Sequence, residues 1–346
     1  MCFLRHIFSI PLFSMILVTG GTGLVGAHVL LELTQKHEKV RALKRTNSSL
    51  AIPEKVFEHY QKVDLLSRIE WVEGDVLEVP SLEEAMSGCA QVYHAAALVS
   101  FVPKEVQKMF DINVQGTANV VNVALSEGVK KLGYVSSIAS LSRYENSKMV
   151  TEENYWKPNP HNSNYAISKY LAEQEVWRGT QEGLPAVIIN PSVILGPGDW
   201  SKGSSQMFQK VWEGLKFYTP GGTGYVDVVD VANSLIALME SEVENERYIV
   251  NGENLPYRTI FDWIAEGMSK PKAHILVTPF LKEVAWRIEA IRCFFTGKTP
   301  LITKETARQA MGVTAYSNQK IQDFGYAFTP IKESVKKYSE WCLRES

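Results

Sequence analysis

The sequence lacks the residue clusters that mark metal centres and disulfide frameworks. Its four cysteines lie far apart with no CxxC pair, and its seven histidines form no HExxH motif. Zinc sites need such ligand spacings, and disulfide-stabilised folds are much richer in cysteine. The composition therefore predicts neither a metal site nor a disulfide framework, and it fits a protein of the reducing cytoplasm.

An excess of charge of one sign and long apolar runs are missing as well. The 36 basic and 38 acidic residues leave a net charge of −2, which provides no field to attract nucleic acid or an anionic membrane. No window offers the roughly 18 uninterrupted apolar residues of a membrane span. We therefore expect a small molecule as the partner and no nucleic acid, and a homodimer stays open.

The apolar start of the chain, residues 1–14, resembles a short secretion signal because Arg5 precedes its apolar stretch. The stretch continues without a small-residue cleavage site into MILVTGG, a pattern typical of a buried strand beginning at Met15. We therefore interpret residues 1–14 as a non-essential extension.

Short β-rich runs alternate with helical patterns through the first two-thirds of the chain. The predicted strands cover residues 15–19, 40–43, 69–73, 92–95, 132–136 and 186–190, and the predicted helices cover 24–36, 81–87, 104–126 and 165–181. This alternation is typical of βαβ units whose parallel strands are covered by helices on both faces. It predicts an α/β fold with a doubly wound parallel sheet.

A glycine-rich turn follows the first predicted strand. The stretch ILVTGGTGLVGAHVLLEL places Gly20, Gly23 and Gly26 between an apolar strand and an apolar-faced helix. Glycines permit a tight turn and let backbone N–H groups approach a diphosphate, and the helix N-terminus adds partial positive charge. The arrangement predicts a Rossmann-type dinucleotide site that Leu24 and Val25 also line.

The second predicted strand lacks the acidic residue that binds the adenosine ribose of NAD about 20 positions after the glycines. The stretch VRALKRTNSSLAIP contains no carboxylate, and Lys44 and Arg45 stand in its place. Basic side chains there favour the 2′-phosphate of NADP. The alternative is that both are solvated loop charges, which leaves NAD open.

The chain is expected to divide into two parts. Residues 15–195, with 226–252 returning to them, form the predicted Rossmann-type domain, and 196–225 with 253–346 form a smaller, mostly helical substrate-binding region. In this region a helix near 280–295 has an apolar face of Leu281, Val284, Ala285, Ile288 and Ile291. We interpret it as packed on its own domain, with a membrane-surface helix as the alternative.

The stretch NYAISKYLAEQ places Tyr165 and Lys169 four residues apart, so that both emerge from one helix face. The same face continues through Ala172 and Val176, which predicts that it is buried. An ion pair between Lys169 and Glu173, one turn further on, is the simplest explanation of the lysine. Other motifs decide between this explanation and a catalytic pair.

Four motifs together resemble the extended short-chain dehydrogenase/reductase family from Met15 to the C-terminus. They are TGGTGLVG (19–26), GDV (74–76), YVSSIAS (134–140) and YAISK (165–169), in the order and spacing of that family. The resemblance implies that Tyr165 is the general acid/base and that Lys169 binds the nicotinamide ribose and lowers the pKa of the tyrosine.

The resemblance implies roles for further residues. Ser137 would hydrogen-bond the substrate oxygen and Asn113 would order the helix and a water relay; the alternatives are a turn residue and a polar helix residue. The further cofactor-binding residues that it implies are Asp75, Val76, Ala95, Ala96, Ala97, Pro191, Ser192 and Val193.

Departures from other branches of the family narrow the chemistry. Residues 138–140 read IAS where sugar-nucleotide 4,6-dehydratases carry an acid pair, and ASLSR stands where epimerases usually show a VYG triplet. The stretches INPSVILGPGD and PLITKETARQA resemble the dihydroflavonol-reductase and 3β-hydroxysteroid-dehydrogenase branch. This implies an NADP(H)-dependent oxidoreductase that interconverts a ketone or aldehyde and an alcohol. The alternatives are an NAD-dependent sugar-nucleotide epimerase and a non-catalytic dinucleotide-binding regulatory protein.

Loops at the carboxyl ends of the strands are expected to form the substrate pocket. The candidates are mostly aromatic or apolar: Val99, Phe101, Val102, Trp200, Met207, Phe208, Trp212, Phe217, Tyr218 and Tyr225. A sugar-nucleotide diphosphate requires clustered cations, and residues 200–225 supply only three lysines and no arginine. We therefore predict a hydrophobic ketone or aldehyde as substrate, with a purely structural core role for these aromatics as the alternative.

Overall fold

A computed structural model describes residues 15–142, 149–160, 162–198, 203–296 and 310–345. Three features predicted from the sequence lie outside the described residues: the extension 1–14, Trp200, and residues 300–309 of PLITKETARQA.

The described chain contains twelve strands and twelve α-helices. The strands are β1 (Met15–Thr19), β2 (Val40–Lys44), β3 (Ile69–Glu73), β4 (Cys89–His94), β5 (Lys131–Val135), β6 (Ala186–Pro191), β7 (Val193–Leu195), β8 (Phe217–Tyr218), β9 (Gly222–Asp227), β10 (Glu246–Val250), β11 (Glu253–Pro256) and β12 (Ile275–Leu276). The helices are α1 (Leu24–Lys36), α2 (Ala51–His59), α3 (Val79–Met86), α4 (Val106–Phe110), α5 (Gly116–Ser126), α6 (Asn164–Gln181), α7 (Gln206–Trp212), α8 (Val228–Glu240), α9 (Tyr257–Gly267), α10 (Pro279–Thr296), α11 (Gln319–Asp323) and α12 (Ile331–Glu345).

Seven parallel strands form the central sheet in the order β10-β6-β5-β4-β1-β2-β3. β1 pairs with β2 on one side and with β4 on the other, so the order reverses at β1. In open sheets of this kind, a crevice for ligands lies outside the carboxyl ends of the strands at this reversal. The fold is therefore the Rossmann-type doubly wound sheet that the sequence predicts, and the glycine-rich turn begins at the crevice.

Helices cover both faces of the sheet. α1 and α8 bury Leu30 and Leu235 against one face, and α5 and α6 bury Val120 and Val176 against the other. Burying an aliphatic side chain of this size contributes about 1.5–3 kcal/mol. The continuous apolar strands therefore hold helices on both sides and orient their carboxyl ends towards one edge.

The second part of the chain has its own core beside that edge. β7, β9 and β11 form a three-stranded sheet on which α7, α9 and α12 pack. β7 follows β6 directly, because only Ser192 separates them, and Val193 pairs with Tyr225 of β9. The central sheet thus continues into the smaller region at the end of β6.

Several elements differ from the sequence-based expectation. β4 begins at Cys89 rather than at residue 92, and α2 occupies a segment for which no element was predicted. β9 is a strand in a segment for which no strand was predicted, and its backbone pairs with β7 and β11. The long helix predicted over residues 104–126 is interrupted by a π-helical turn at Asp111–Gln115.

Helix α10 corresponds to the amphipathic helix predicted near residues 280–295. Its described side chains are not buried: Ile288 of the apolar face is 61% exposed and Phe280 is 78% exposed. The structure does not describe the side chains of Ala285 and Ile291. The expected packing is therefore absent at Ile288. Over the described ranges, no helix has the length and apolar character needed to cross a membrane.

Candidate active site

The glycine-rich turn joins β1 to α1 with close backbone approaches. Gly20 has a φ of 75°, and the Gly23 N–H donates to the Gly20 carbonyl at 2.9 Å. A Cβ atom at Gly26 would lie 2.1 Å from that carbonyl oxygen, and one at Gly20 would lie 2.5 Å from the Ala96 nitrogen. Both positions therefore require glycine. Because α1 has no acidic residue in its first turn, its N-terminus suits a diphosphate.

The two basic residues at the end of β2 have no ion-pair partner among the described residues. Arg45 lines a cavity of about 550 Å³ together with Thr46, Asn47, Glu73, Gly74, Asp75, Glu78 and Ser81. In this cavity the Thr46 hydroxyl donates a hydrogen bond to the Glu73 carboxylate. The cavity thus offers a cation, a hydroxyl and an amide on the β2 side, and carboxylates on the β3 side.

Sequence reasoning named Lys44, Arg45 and Asp75 for this end of the site but missed Thr46, Asn47 and Glu73. Their one signal in the sequence is position, since Thr46 and Asn47 follow β2 and Glu73 ends β3. The polar environment that they create depends on the parallel pairing of β2 with β3.

The residues predicted after β3 and β4 lie at the same edge. The Asp75 carboxylate accepts a hydrogen bond from the Leu77 N–H at 3.0 Å, and the buried Val76 carbonyl accepts one from Asn119 at 3.0 Å. The segment of Ala95, Ala96 and Ala97 is anchored by the Ala95 N–H, which donates to the Thr19 carbonyl at 3.1 Å. The segment after β4 therefore lies beside the glycine-rich turn.

Asn113 lies in the π-helical turn and is almost completely buried. Its amide oxygen accepts a hydrogen bond from the Leu98 N–H at 2.7 Å. Its amide nitrogen donates to the Leu98 carbonyl and to the Ser168 hydroxyl, each at 3.0 Å. These contacts tie the loop after β4 to α6, one residue before Lys169.

Helix α6 presents Tyr165 and Lys169 on one face. Ser163 caps its N-terminus by accepting a hydrogen bond from the Ala166 N–H at 2.9 Å. Ala172, on the same face, has no exposed surface. The buried stripe that the sequence pattern predicts is therefore present.

Tyr165 meets Ser137 and Phe101 at the carboxyl edge of the sheet. Burial raises the pKa of Tyr165, and a hydrogen bond with Ser137 lowers it in part. The Ser137 oxygen also accepts a hydrogen bond from the Ala139 N–H at 3.1 Å, which fixes it just beyond β5. The Phe101 ring lies edge-on to Tyr165 with centroids 5.9 Å apart. The phenol thus has a polar neighbour and an apolar one.

The Lys169 ammonium is buried beneath this group. It donates to the Tyr134 hydroxyl at 2.7 Å and to the Val135 carbonyl at 2.9 Å. Burial lowers the pKa of Lys169 to about 7, and the negative charge of Glu173 opposes that shift. The lysine is therefore poised to change its charge near neutral pH.

The ion pair between Lys169 and Glu173 is not formed. Glu173 instead binds the Arg247 guanidinium at 3.1 Å, with 1% and 16% of the two side chains exposed. Its carboxylate also accepts hydrogen bonds from Ser136, Ser140, Asn190 and Trp177. A distant arginine on β10 thus neutralises the glutamate, which leaves Lys169 for the site.

The segment predicted to hold the nicotinamide end passes from β6 into β7. Pro191 ends β6, and the Ser192 N–H donates to the Val250 carbonyl at 3.0 Å. The buried Ser192 hydroxyl has no hydrogen-bond partner in the part of the chain that is described. Such a group suits contact with a polar ligand. Val193 and Val25 are half-buried beside the core of the smaller region.

The predicted substrate residues fall into two groups. Val99 is 56% exposed and Phe101 is 39% exposed, and Phe101 contacts Tyr165. The half-buried or exposed residues of the smaller region are Met207, Trp212, Phe217 and Tyr218. Phe208 and Tyr225, in contrast, are buried in its core with 1% and 0% exposed. Because these two side chains have almost no exposed surface, their burial favours the structural core role given above as the alternative.

A cation that the count over residues 200–225 missed approaches this region from α9. The Arg258 guanidinium lies 4.4 Å from the centre of the Tyr218 ring and 3.7 Å from the Asp262 carboxylate. Arg258 lies outside residues 200–225, so the spacing of residues in the sequence did not indicate that it would approach Tyr218. No group of three or more metal-ligating side chains occurs among the described residues.

A known protein family matches the part of the chain that contains this site. The family model of the NAD dependent epimerase/dehydratase family matches residues 16–251, which include the glycine-rich turn, Ser137, Tyr165 and Lys169. This chain belongs to that family. The proteins similar to this chain are of the extended short-chain dehydrogenase/reductase type that the sequence motifs resemble.

Two curated relatives match nearly the whole length of this chain. "Sterol demethylase protein B" of Methylococcus capsulatus is 29% identical over 332 residues, covering 94% of this chain and 97% of that protein. "Putative dihydroflavonol 4-reductase" of Synechocystis sp. is 29% identical over 337 residues, covering 94% and 93%. The name of the second relative is that of the branch that the sequence motifs resemble.

Solved structures share the fold of this epimerase/dehydratase-family protein. The crystal structure of gox2253 superposes with a TM-score of 0.81 at 26% identity, covering 96% of this chain and 99% of that chain. UDP-glucose 4-epimerase from Thermotoga maritima superposes with a TM-score of 0.75 at 19% identity, covering 96% and 99%.

Proposed function

We propose that this protein is an NADP(H)-dependent oxidoreductase that interconverts a hydrophobic ketone or aldehyde and its alcohol. The observation that carries the proposal is the group of Tyr165, Ser137 and Phe101 above the buried Lys169. It combines a proton donor, a second hydrogen-bond donor and an apolar wall at the edge where ligands bind in open α/β sheets.

A nicotinamide cofactor, when bound, supplies the hydride. In the reductive direction Tyr165 donates its phenolic proton to the substrate oxygen, and the Ser137 hydroxyl donates a hydrogen bond to the same oxygen. The Lys169 ammonium lies one helical turn away and favours the phenolate that remains. The lysine thereby counteracts the raised pKa that burial imposes on Tyr165.

NADP is supported by the cavity at the end of β2. Arg45 and Asn47 provide charge-assisted and neutral donors of the kind that bind a phosphate. Glu73 opposes this preference, because its carboxylate faces the same cavity. We expect Arg45 to outweigh Glu73, since Thr46 already donates to that carboxylate.

A hydrophobic substrate is supported by the exposed Phe101, whose ring lies beside Tyr165, and by the exposed Val99 in the same loop. It is also supported by the names of relatives, which include a dihydroflavonol reductase, cinnamoyl-CoA reductases and a sterol-4-alpha-carboxylate 3-dehydrogenase.

The test is oxidation of NADPH, followed by absorbance, with a panel of dihydroflavonol, cinnamoyl and 3-ketosteroid substrates. Turnover that disappears in Tyr165→Phe supports the proposal. Inversion of a UDP-sugar without net oxidation of cofactor would instead identify the epimerase. In that case Arg258, which lies beside the Tyr218 ring, is the candidate to bind the diphosphate of the substrate. Cofactor binding without either reaction would identify the non-catalytic alternative.

A further inference from the structure

The Lys169 ammonium donates hydrogen bonds to two neighbouring groups. An ammonium has three N–H groups, and two of them go to the Tyr134 hydroxyl at 2.7 Å and the Val135 carbonyl at 2.9 Å. The nitrogen also lies 4.5 Å from the centre of the Tyr134 ring. One N–H is left for a ligand or for Tyr165.

The hydrogen of the Tyr134 hydroxyl has the Thr117 hydroxyl as a polar neighbour. The Tyr134 oxygen receives the Lys169 donor, so its own hydrogen turns towards this neighbour. The Thr117 hydroxyl donates in turn to the Asn113 carbonyl at 2.6 Å. The donors therefore point in one direction, from the lysine through Tyr134 and Thr117 to a backbone carbonyl.

The other side of Thr117 is also fixed. Because its hydrogen is used, its oxygen must accept from His94 Nε2, 3.0 Å away. His94 Nδ1 then accepts from the Thr19 hydroxyl at 2.6 Å. His94 stacks on Tyr134 with ring centroids 5.4 Å apart, and both side chains are fully buried. The Tyr134 hydroxyl is thus held on three sides within the core.

We propose that Tyr134 is a positioning residue for the reaction, whose hydroxyl holds the Lys169 ammonium in place and in its charged form with one N–H directed to the site. The role rests on the proposed function, since it acts through the lysine of the catalytic group. The chain of donors ends at a buried carbonyl, so it positions the ammonium and does not conduct protons to solvent.

Four titratable groups surround the ammonium, on β4, β5 and α6. Burial and the lysine lower the pKa of His94 to about 3, and burial raises the pKa of Tyr134 and of Tyr165. Glu173 is paired with Arg247. Lys169, whose pKa burial lowers to about 7, therefore changes its charge in the neutral range. Loss of its Tyr134 acceptor should make the charged form less stable.

Tyr134→Phe tests this role, because it removes the hydroxyl and keeps the ring beneath the ammonium. The alkaline limb of the rate profile for NADPH-dependent reduction should move down by about one to two pH units, the range expected for one hydrogen bond to a charged group. NADPH binding, measured by fluorescence, should weaken by about ten- to hundredfold at pH 8 and by no more than about twofold at pH 5, where the ammonium stays largely charged. Tyr93→Phe is the matched control: its hydroxyl is also buried on a central strand, but its contact is Gln91.

A second variant, Thr117→Val, removes the acceptor of Tyr134 without touching the lysine. It should move the same limb in the same direction by a smaller amount. Equal shifts in Tyr134→Phe and Tyr93→Phe, or none in either, would overturn the inference. If the unmutated protein reduces no substrate, the proposed function fails, and the pH dependence of NADPH binding still decides the role of Tyr134.

Discussion

Tyr165 and Lys169 share a helix face but have different partners, so their replacements should fail in different ways. Tyr165→Phe keeps the ring beside Phe101 and removes the transferable proton. It should lower kcat by about 10²–10⁴-fold and leave NADPH affinity nearly intact. Lys169→Ala should harm both, because it removes the buried ammonium. Single-turnover rates and NADPH titrations separate the two effects, and full turnover in Tyr165→Phe would mean that another acid serves.

The charges around the adenosine cavity should determine cofactor preference in opposite directions. Arg45→Ala should weaken NADPH binding by roughly 1.5–3 kcal/mol, because a hydrogen bond to a charged group is lost. Glu73→Gln should strengthen it, because a carboxylate that faces the 2′-phosphate becomes neutral.

The control for both variants is NADH, which lacks that phosphate and should bind each of them as it binds the unmutated protein. Calorimetric titration of the unmutated protein and the two variants with each cofactor gives the six dissociation constants. Equal affinity of the unmutated protein for NADPH and NADH would contradict the assignment.

At the scale of elements, the C-terminal helix α12 is joined to the end of β9 and the start of α8 by a buried hydroxyl contact. Tyr338 donates to the Asp227 carboxylate at 2.8 Å, and that carboxylate also caps α8 by accepting from the Val229 N–H at 2.8 Å. Tyr338 has no exposed surface, and Asp227 is 2% exposed. One carboxylate therefore joins α12 to the start of α8.

Tyr338→Phe should lower the free energy of unfolding by about 1.5–3 kcal/mol, because a buried carboxylate loses a donor. The matched control is Ser334→Ala on the same helix. The Ser334 hydroxyl is buried but has no hydrogen-bond partner among the described residues, so its removal should cost little. Urea denaturation of the two variants gives the comparison, and equal losses would argue against the Asp227 contact.

For the whole molecule, buried histidines should make stability depend on acidity. Burial lowers the pKa of His28 to about 4 and that of His94 to about 3, from 6.5. Between these values and 6.5 the unfolded chain binds protons that the folded chain does not, so the free energy of unfolding falls as pH decreases through this window. Above pH 6.5 the two groups contribute no slope.

Denaturation curves between pH 7 and 4 should therefore show a progressive loss of stability. For His28 alone the loss at pH 4 should reach roughly 3 kcal/mol. His28→Asn keeps a short donor towards the Leu24 carbonyl and removes the titrating ring. It should flatten the slope; an unchanged slope would show that His28 does not supply it.

Patterns in the sequence predicted the βαβ order, the glycine-rich turn and the helix face of Tyr165 and Lys169, because each of these features depends on spacing between near neighbours in the chain. Strand and helix periodicity involve neighbours in the chain, and β1, β3 and α1 have the bounds that periodicity predicts. The family motifs are local in the same way. Substrate and cofactor preference remain predictions.

Tertiary structure alone decided which partners these residues have. Lys169 binds Tyr134, which lies 35 positions away, and Glu173 is neutralised by Arg247, which lies 74 positions away. Arg258 reaches Tyr218 from another helix, and Tyr225 is buried by β7 and β11. Such contacts depend on strand order and packing, and residue spacing contains no information about either. The sequence by itself therefore determined the elements and the chemistry-bearing residues, while the fold decided which charges were paired and which were left for a ligand.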